Sequence, residues 1–310
     1  MPKETLIAIG AGVLSAVSAM AFLIHLPGAF LFAYLASLPL FLVGFSLGPG
    51  KIAIGGAVGF MVAGMFGGAF SAGIYGLTQA LPAWLAVRQL LLQRPSLPQP
   101  TSTQWYPAGD TLCWLAILAA SVLTLAAVYV AYGDQGLSIQ IAENLDIILK
   151  GLSPDMAIDS RGKMVALIAP LFPGAVGCSW LIMTIVNATL AQGILIRFEK
   201  NLRPSPAYVD LGLPQWMSWL LIASAALALL GTGEMEYTGR NLALVTAMPY
   251  FLLGLSVIHT WARRVSFTGM VLFSFYLVVV LSGWAAIGVA GIGMAEQWVG
   301  LRNRVSGINV

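Results

Sequence analysis

The sequence predicts an all-α, polytopic transmembrane helix bundle, and three observations predict it. Of the 310 residues, 59% are hydrophobic and only 9% charged, against about 25% charged in soluble domains. Mean hydropathy is +0.88. Apolar runs close to the ~20 residues that a spanning helix needs recur along the whole chain. With so few charges a soluble fold of this size could not cover its surface, so the bilayer is the natural solvent. The formal net charge of +3 is too small to imply nucleic acid.

Nine runs qualify, near residues 5–25, 28–48, 51–68, 70–92, 111–132, 163–197, 215–232, 241–262 and 266–293. About nine spans are expected, with a range of eight to ten. The third run is short and glycine-rich and reads either as a span or as re-entrant. The last is long enough to tilt, or to bend near Gly283. The first resembles a signal peptide in Lys3, its apolar stretch and Ala19-Met20-Ala21. Glu4 offsets Lys3, however, and apolar sequence resumes after "HLPG", so an uncleaved first span is expected. Residues 1–310 read as a single integral membrane domain, with 93–110 a proline-rich polar connector. Segment 137–152 places Leu137, Ile141, Leu145, Ile148, Leu149 and Leu152 on one stripe and is too polar to span. It predicts an amphipathic helix that lies at the membrane interface or caps the bundle.

An N-terminus inside the cell puts Lys3, Lys51, Arg88, Arg94, Arg197, Lys200, Arg203, Arg263 and Arg264 in the cytoplasm, nine of the 15 Lys+Arg. The outer loops then collect Asp134, Glu143, Asp146, Asp155, Asp159, Glu234 and Glu236. The group Arg197, Lys200, Arg203 reads first as a retention signal, then as a phospholipid-headgroup contact or docking loop. Arg240 is placed to pair with Glu234 or Glu236. Nine spans leave Arg302 and Arg304 outside, against the rule. A tenth crossing or a re-entrant third run would bring them back.

"LIAPLFPGAVG" interrupts the sixth run. A helix over 164–196 would run roughly 50 Å, against a hydrocarbon core of about 30 Å. Proline removes a donor and clashes with the preceding turn. A break at Pro170, Pro173 and Gly174 is expected, followed by a full span from about Ala175 to Arg197. Such a break survives at the interface, as a kink packed against protein, or lining a cavity.

The absences are informative. Acidic residues fall in loops or at span ends, which disfavours ion-coupled carriers. His25 and His259 lie far apart, and no protease, hydrolase or nucleotide-binding motif occurs. No enzymatic activity, metal site or cofactor is expected. Cys113 and Cys178 sit inside apolar runs and read as inert thiols. The neutral amides Gln79, Asn187 and Gln192 lie at depth, either as inter-helix glue or as a pocket that orients a small neutral ligand. Gly55, Gly59, Ala63 and Gly67 form a four-residue ladder that lets backbones approach, by default within the chain, alternatively against a membrane protein partner. Trp84, Trp105, Tyr106, Trp114, Trp216, Trp219, Tyr237, Tyr250 and Trp298 read as interfacial belts.

Five segments carry a family resemblance: "SLPLFLVGFSLGPG", "ALPAWLAVRQLLLQR" with "WYPAGD", "NATLAQGILIRFEKNLRPSP", "GRNLALVTAMPYFLLGLSVIHTWARR" and "GIGMAEQWVGLRNR". Over nearly the whole chain they resemble the YybS-like family, a domain-of-unknown-function family of bacterial integral membrane proteins, here its alphaproteobacterial branch. The resemblance implies a multi-span protein of the bacterial inner membrane. Glu296, Trp298, Arg302 and Arg304 stand where the family has an acid, a tryptophan and an arginine. A more distant likeness, in glycine-rich spans and lack of charge, runs to the substrate-binding subunits of energy-coupling-factor transporters. Two functions are expected: a transport-related small-molecule-binding subunit, or a non-catalytic scaffold or accessory subunit of a larger membrane assembly.

Overall fold

In hydrocarbon every backbone donor and acceptor must be bonded within the protein, so apolar runs become helices. The computed structural model describes residues 2–21, 28–95, 103–132 and 136–302. His25, Asp134 and Arg304 lie outside the described residues, as does part of the 93–110 connector.

The order is α1 (Lys3–Ala19), α2 (Ala29–Tyr34), α3 (Leu38–Leu47), α4 (Pro49–Tyr75), a π-helical turn (Gly76–Ala80), α5 (Leu81–Leu90), β1 (Gln93–Pro95), β2 (Thr103–Trp105) and α6 (Ala108–Ala131). Then come α7 (Leu137–Leu152), α8 (Ile158–Ile168), a 3₁₀ turn (Ala169–Leu171), α9 (Phe172–Arg197), a 3₁₀ turn (Tyr208–Asp210), α10 (Trp216–Leu230), α11 (Glu234–Ala262), α12 (Thr268–Leu281) and α13 (Gly283–Val299). Every predicted run carries helix. The connector adds a hairpin that was not expected: β1 and β2 pair antiparallel, Gln93 opposite Trp105.

Five helical segments are long and apolar enough to cross a membrane, or six if α12 and α13, bent by 118°, count as one. The expected nine differ for two physical reasons. α1 has 17 residues and α10 has 15, short of the ~20 of a full crossing. Residues 49–90 form one continuous segment of 42 residues, which joins two predicted runs. That segment is a hairpin. Gly68 has φ 76°, a left-handed value that glycine adopts without strain. A Cβ on Gly56 would lie 3.2 Å from Ala80 Cβ, and one on Gly64 would lie 3.4 Å from Ala72 Cβ. These pairs are symmetric about Gly68, so the arms 49–67 and 69–90 run antiparallel. They are roughly 28 and 33 Å long, each close to the core thickness.

The chain forms two compact units, where the sequence read as one domain. The first comprises Met1–Leu115 and Trp180–Ala207, the second Ala116–Ser179 and Tyr208–Val310.

In the first unit the glycine ladder is consumed inside the chain. Gly55, Gly59 and Ala63 are buried, and Gly67 is half-buried beside the reversal. A Cβ at Gly55 would come 2.9 Å from Ala8 O on α1. Gly59 lies under the Tyr75 ring, whose hydroxyl bonds Ser15 Oγ at 2.8 Å. The charges of this unit gather at one end. The hairpin brings the start of α4 beside the end of α5, and Lys51 reaches Glu4 and Thr5 of α1 at 3.4 and 3.0 Å. Leu202 N donates to Phe45 O, and Arg203 to Leu90 O. Lys3, Lys51, Arg88, Arg197, Lys200 and Arg203 therefore share that end with Glu4, Asp110 and Glu199.

In the second unit α11 is the central helix, packed on α10 and α13. Ser218 bonds the Tyr250 hydroxyl and Ser224 bonds Thr246, each at 2.9 Å. Tyr250 is thus a core residue at 0% exposure, not part of an interfacial belt. At the end of α13 the Glu296 carboxylate, 7% exposed, accepts from Arg302 Nε at 2.6 Å. Arg302 also donates to Leu211 O at 2.8 Å and to Val209 O. The acid and arginine of the terminal pattern thereby clasp α13 to the 208–211 turn. α7 forms over 137–152 as expected and caps α8. Leu145, Val165 and Ala169 make a core with Ile141 and Leu149 at its edge. Ile148 and Leu152 of the predicted stripe stay outside, at 52% and 76% exposure.

Candidate functional site at the broken helix

Ile158–Arg197 is a 40-residue apolar segment, roughly 60 Å if fully helical and about twice the hydrocarbon thickness. It tightens to 3₁₀ geometry at Ala169–Leu171. Pro170 sits inside that turn. Pro173 is the second residue of α9, where its missing N–H leaves no helical bond unmade. The break is therefore at 169–171, and α9 starts three residues before the expected Ala175.

The freed backbone groups are met by α11. Asn241, 0% exposed, accepts from Gly174 N at 2.8 Å and donates from Nδ2 to Pro170 O at 3.0 Å. The same nitrogen donates to Tyr237 O at 2.9 Å. One helical turn earlier the Tyr237 hydroxyl donates to Ala169 O at 2.9 Å. Glycines let the helices meet. A Cβ on Gly174 would lie 2.9 Å from Asn241 O, and one on Gly177 would lie 2.8 Å from Val245 Cγ2. A side-chain amide thus does what backbone does elsewhere in a helix. Asn241 is the residue that sequence reasoning missed. Its signal was present, an amide at the mouth of the eighth apolar run, of the same kind that singled out Asn187.

The break also has an open side. Ala169 and Pro170 line a pocket of about 540 Å³. Val165, Ala166 and Gly162 of α8 and Ala142 of α7 supply small apolar walls. Ser138, Asp146, Glu234, Glu236, Tyr237 and Arg240 supply the polar part. Asp146, Glu236 and Arg240 are ion-paired, whereas Glu234 takes part in none of the ion pairs among the described residues. Glu234 accepts from Ser138 N at 3.1 Å and from the Ser138 hydroxyl, which ties the starts of α7 and α11 together. Arg240 pairs with Glu236 one turn away, one of the two partners expected for it. Arg161 binds Asp146 at 2.5 Å. The result is a mostly apolar recess of ligand size, with two ion pairs and the Ser138-bonded carboxylate of Glu234 at its edge.

The predicted amides Gln79, Asn187 and Gln192 all lie in the first unit, and none lines this pocket. Asn187 donates to Tyr34 O and Met183 O, both at 2.8 Å, and its Oδ1 is enclosed without a donor among the described residues. Gln192 donates to Arg203 O at 2.6 Å. Gln79 lies in the π-helical turn with Oε1 enclosed and unpaired. Trp180 Nε1 donates to the neighbouring Thr78 O at 2.8 Å, a carbonyl of that turn. No hydrogen bond joins one of the three to another among the described residues.

The family described as "Predicted membrane protein (DUF2232)" matches residues 13–296. The chain belongs to it. The match takes in the Gly68 hairpin, the break at 169–171, Asn241 and Glu296, so the DUF2232 region contains both the pocket and the helices that form it. The YybS-like resemblance of the sequence points to this same family. No curated protein and no solved structure matches the chain.

Proposed function

We propose that this DUF2232 protein is a small-molecule-binding subunit serving transport in a bacterial inner membrane, and that it takes its ligand in the pocket beside the broken helix. One observation carries the reading. A helical segment of spanning length tightens to a 3₁₀ turn at Ala169–Leu171, and Ala169 and Pro170 of that turn form part of the wall of a recess of about 540 Å³. Irregular backbone within an apolar run is tolerated where protein or a wet cavity surrounds it, and discontinuous helices are a frequent setting for transport sites. The small apolar walls, the ion pairs of Asp146 and Glu236, and the hydrogen-bonded Glu234 favour a small neutral ligand whose one polar end donates hydrogen bonds. In this reading the protein binds and passes on its ligand without bond chemistry. Gln79, Asn187 and Gln192 then act as glue between helices in the first unit. The cation-rich end of that unit faces the cytoplasm, N-terminus included.

Thermal unfolding of the detergent-solubilised protein against a panel of neutral metabolites tests the reading. At least one compound should raise the midpoint, and Ala166→Trp, which fills the recess, should abolish that shift while leaving the unliganded midpoint close to wild type. A well-folded protein that responds to no compound contradicts it.

A second reading, a scaffold or accessory subunit of a membrane assembly, is favoured by α12. None of its fourteen residues, Thr268–Leu281, is buried. Mild-detergent purification at native expression would then yield a complex, whereas a lone monomer contradicts it.

A further inference from the structure

The charged end of the first unit contains a recessed cation with no counter-anion among the described residues. Arg203 is 8% exposed. Its Nη1 donates to Leu90 O at 2.7 Å and Tyr106 O at 3.0 Å. The guanidinium carbon lies 5.6 Å from the centre of the Trp105 ring. Nε is enclosed and has no acceptor among the described residues. Arg203 takes part in none of the ion pairs among the described residues. Burial pulls its pKa below the ordinary arginine value. Carbonyl dipoles and a ring face solvate a guanidinium in part, but they do not cancel its charge. The position is also fixed from behind, because Arg203 O accepts from Gln192 Nε2 at 2.6 Å and from Asn201 Nδ2 at 2.9 Å.

The surroundings are basic. Arg88, Arg197 and Lys200 are exposed at the same end, and Arg88 lies 5.7 Å from the Trp84 ring centre. Glu199, in a left-handed conformation with φ 54°, is the acid nearest in sequence. The site closes the ends of α5 and α9, whose apolar stretches stop here, so it sits at headgroup level if those helices span. A planar guanidinium held by stacking, with further exposed cations at the same end of the unit, matches a phosphate group.

We propose that Arg203, with Arg88, Arg197 and Lys200 at the same end, binds a phosphate group at the membrane surface of the first unit. The helix ends favour the headgroup of an acidic phospholipid as its source, since basic recesses between helices at this level suit such headgroups. A soluble phosphate would use the same donors.

Native mass spectrometry of the full-length protein, with phosphatidylglycerol, phosphatidylcholine or inorganic phosphate added in separate arms, tests the site. Phosphatidylglycerol should be retained over phosphatidylcholine. The variant Arg88→Ala/Lys200→Ala leaves the carbonyl bonds of Arg203 untouched and should fold. It should lower retention about fivefold per cation removed. Arg203→Lys keeps the charge but loses the fork, and should lower retention further. Stabilisation by millimolar inorganic phosphate without lipid preference keeps the phosphate site and assigns it to a soluble ligand. Equal retention of both lipids with no response to phosphate overturns the proposal, and so does wild-type retention by the folded double variant.

Discussion

Gly293→Val is expected to abolish folding in the membrane. α13 meets α11 through backbone, and any Cβ at Gly293 would drive into the Tyr250 carbonyl and lie 2.8 Å from Gly254 N. Nothing flexible stands in the way, so the only relief is separation of the two helices. Gly254 is locked in the same manner against the Val289 backbone. That separation would also strain the bond from Arg302, past the end of α13, to Ser256 Oγ on α11. The expected cost is about 4 kcal/mol or more, at the upper end for single substitutions. α13 supplies its own controls. Gly288 and Gly291 have nothing within 4 Å of a built Cβ, so Gly288→Val and Gly291→Val should lose no more than about 1 kcal/mol. Folded yield and denaturant unfolding in detergent would separate the three. Similar losses at all three positions would mean that α11 and α13 do not meet as described.

Asn241→Leu should produce the second-largest loss. The substitution keeps the volume roughly and removes both donor and acceptor, leaving Gly174 N and Pro170 O without their partner on α11. Leaving a buried polar group unmet costs about 1–3 kcal/mol, so two give about 2–4 kcal/mol once the break relaxes. Asn241→Asp buries a carboxyl group that stays protonated at this site; the neutral acid keeps an acceptor for Gly174 N and one donor for Pro170 O or Tyr237 O, and should fall between. Unfolding of the purified variants would show that order. If Asn241→Leu unfolds like wild type, water rather than α11 satisfies the turn.

Much of this fold is legible in hydropathy, because the bilayer leaves an apolar run little alternative to helix. Every run carries helix, α7 forms over the stretch its stripe marked, and the break falls on "APLFPG" because proline acts locally. What escaped depends on partners distant in sequence. Gly68 looks like its neighbours in the ladder, and only its backbone conformation marks the reversal. Nothing near Pro170 names Asn241, which lies 71 positions away. Tyr250 resembles a belt residue until Ser218 is seen against its hydroxyl. The strands β1 and β2, three residues each, are too short to show a period. Gln79, Asn187 and Gln192 were chosen as amides at depth. The same rule applied at the start of the eighth run points to Asn241, the amide that holds the pocket wall in place.

Water access to the break tests the account most directly. Ala166→Cys, in a Cys113→Ala/Cys178→Ala background, places a thiol on the pocket wall, and Ile182→Cys places one on the apolar outer surface of α9. Maleimides react with thiolate in water, not with thiols in hydrocarbon. A small hydrophilic maleimide should label Ala166→Cys readily and leave Ile182→Cys untouched. An Ala166→Cys protein that is folded, yet as unreactive as Ile182→Cys, would show that the broken helix borders no wet pocket and would contradict the account.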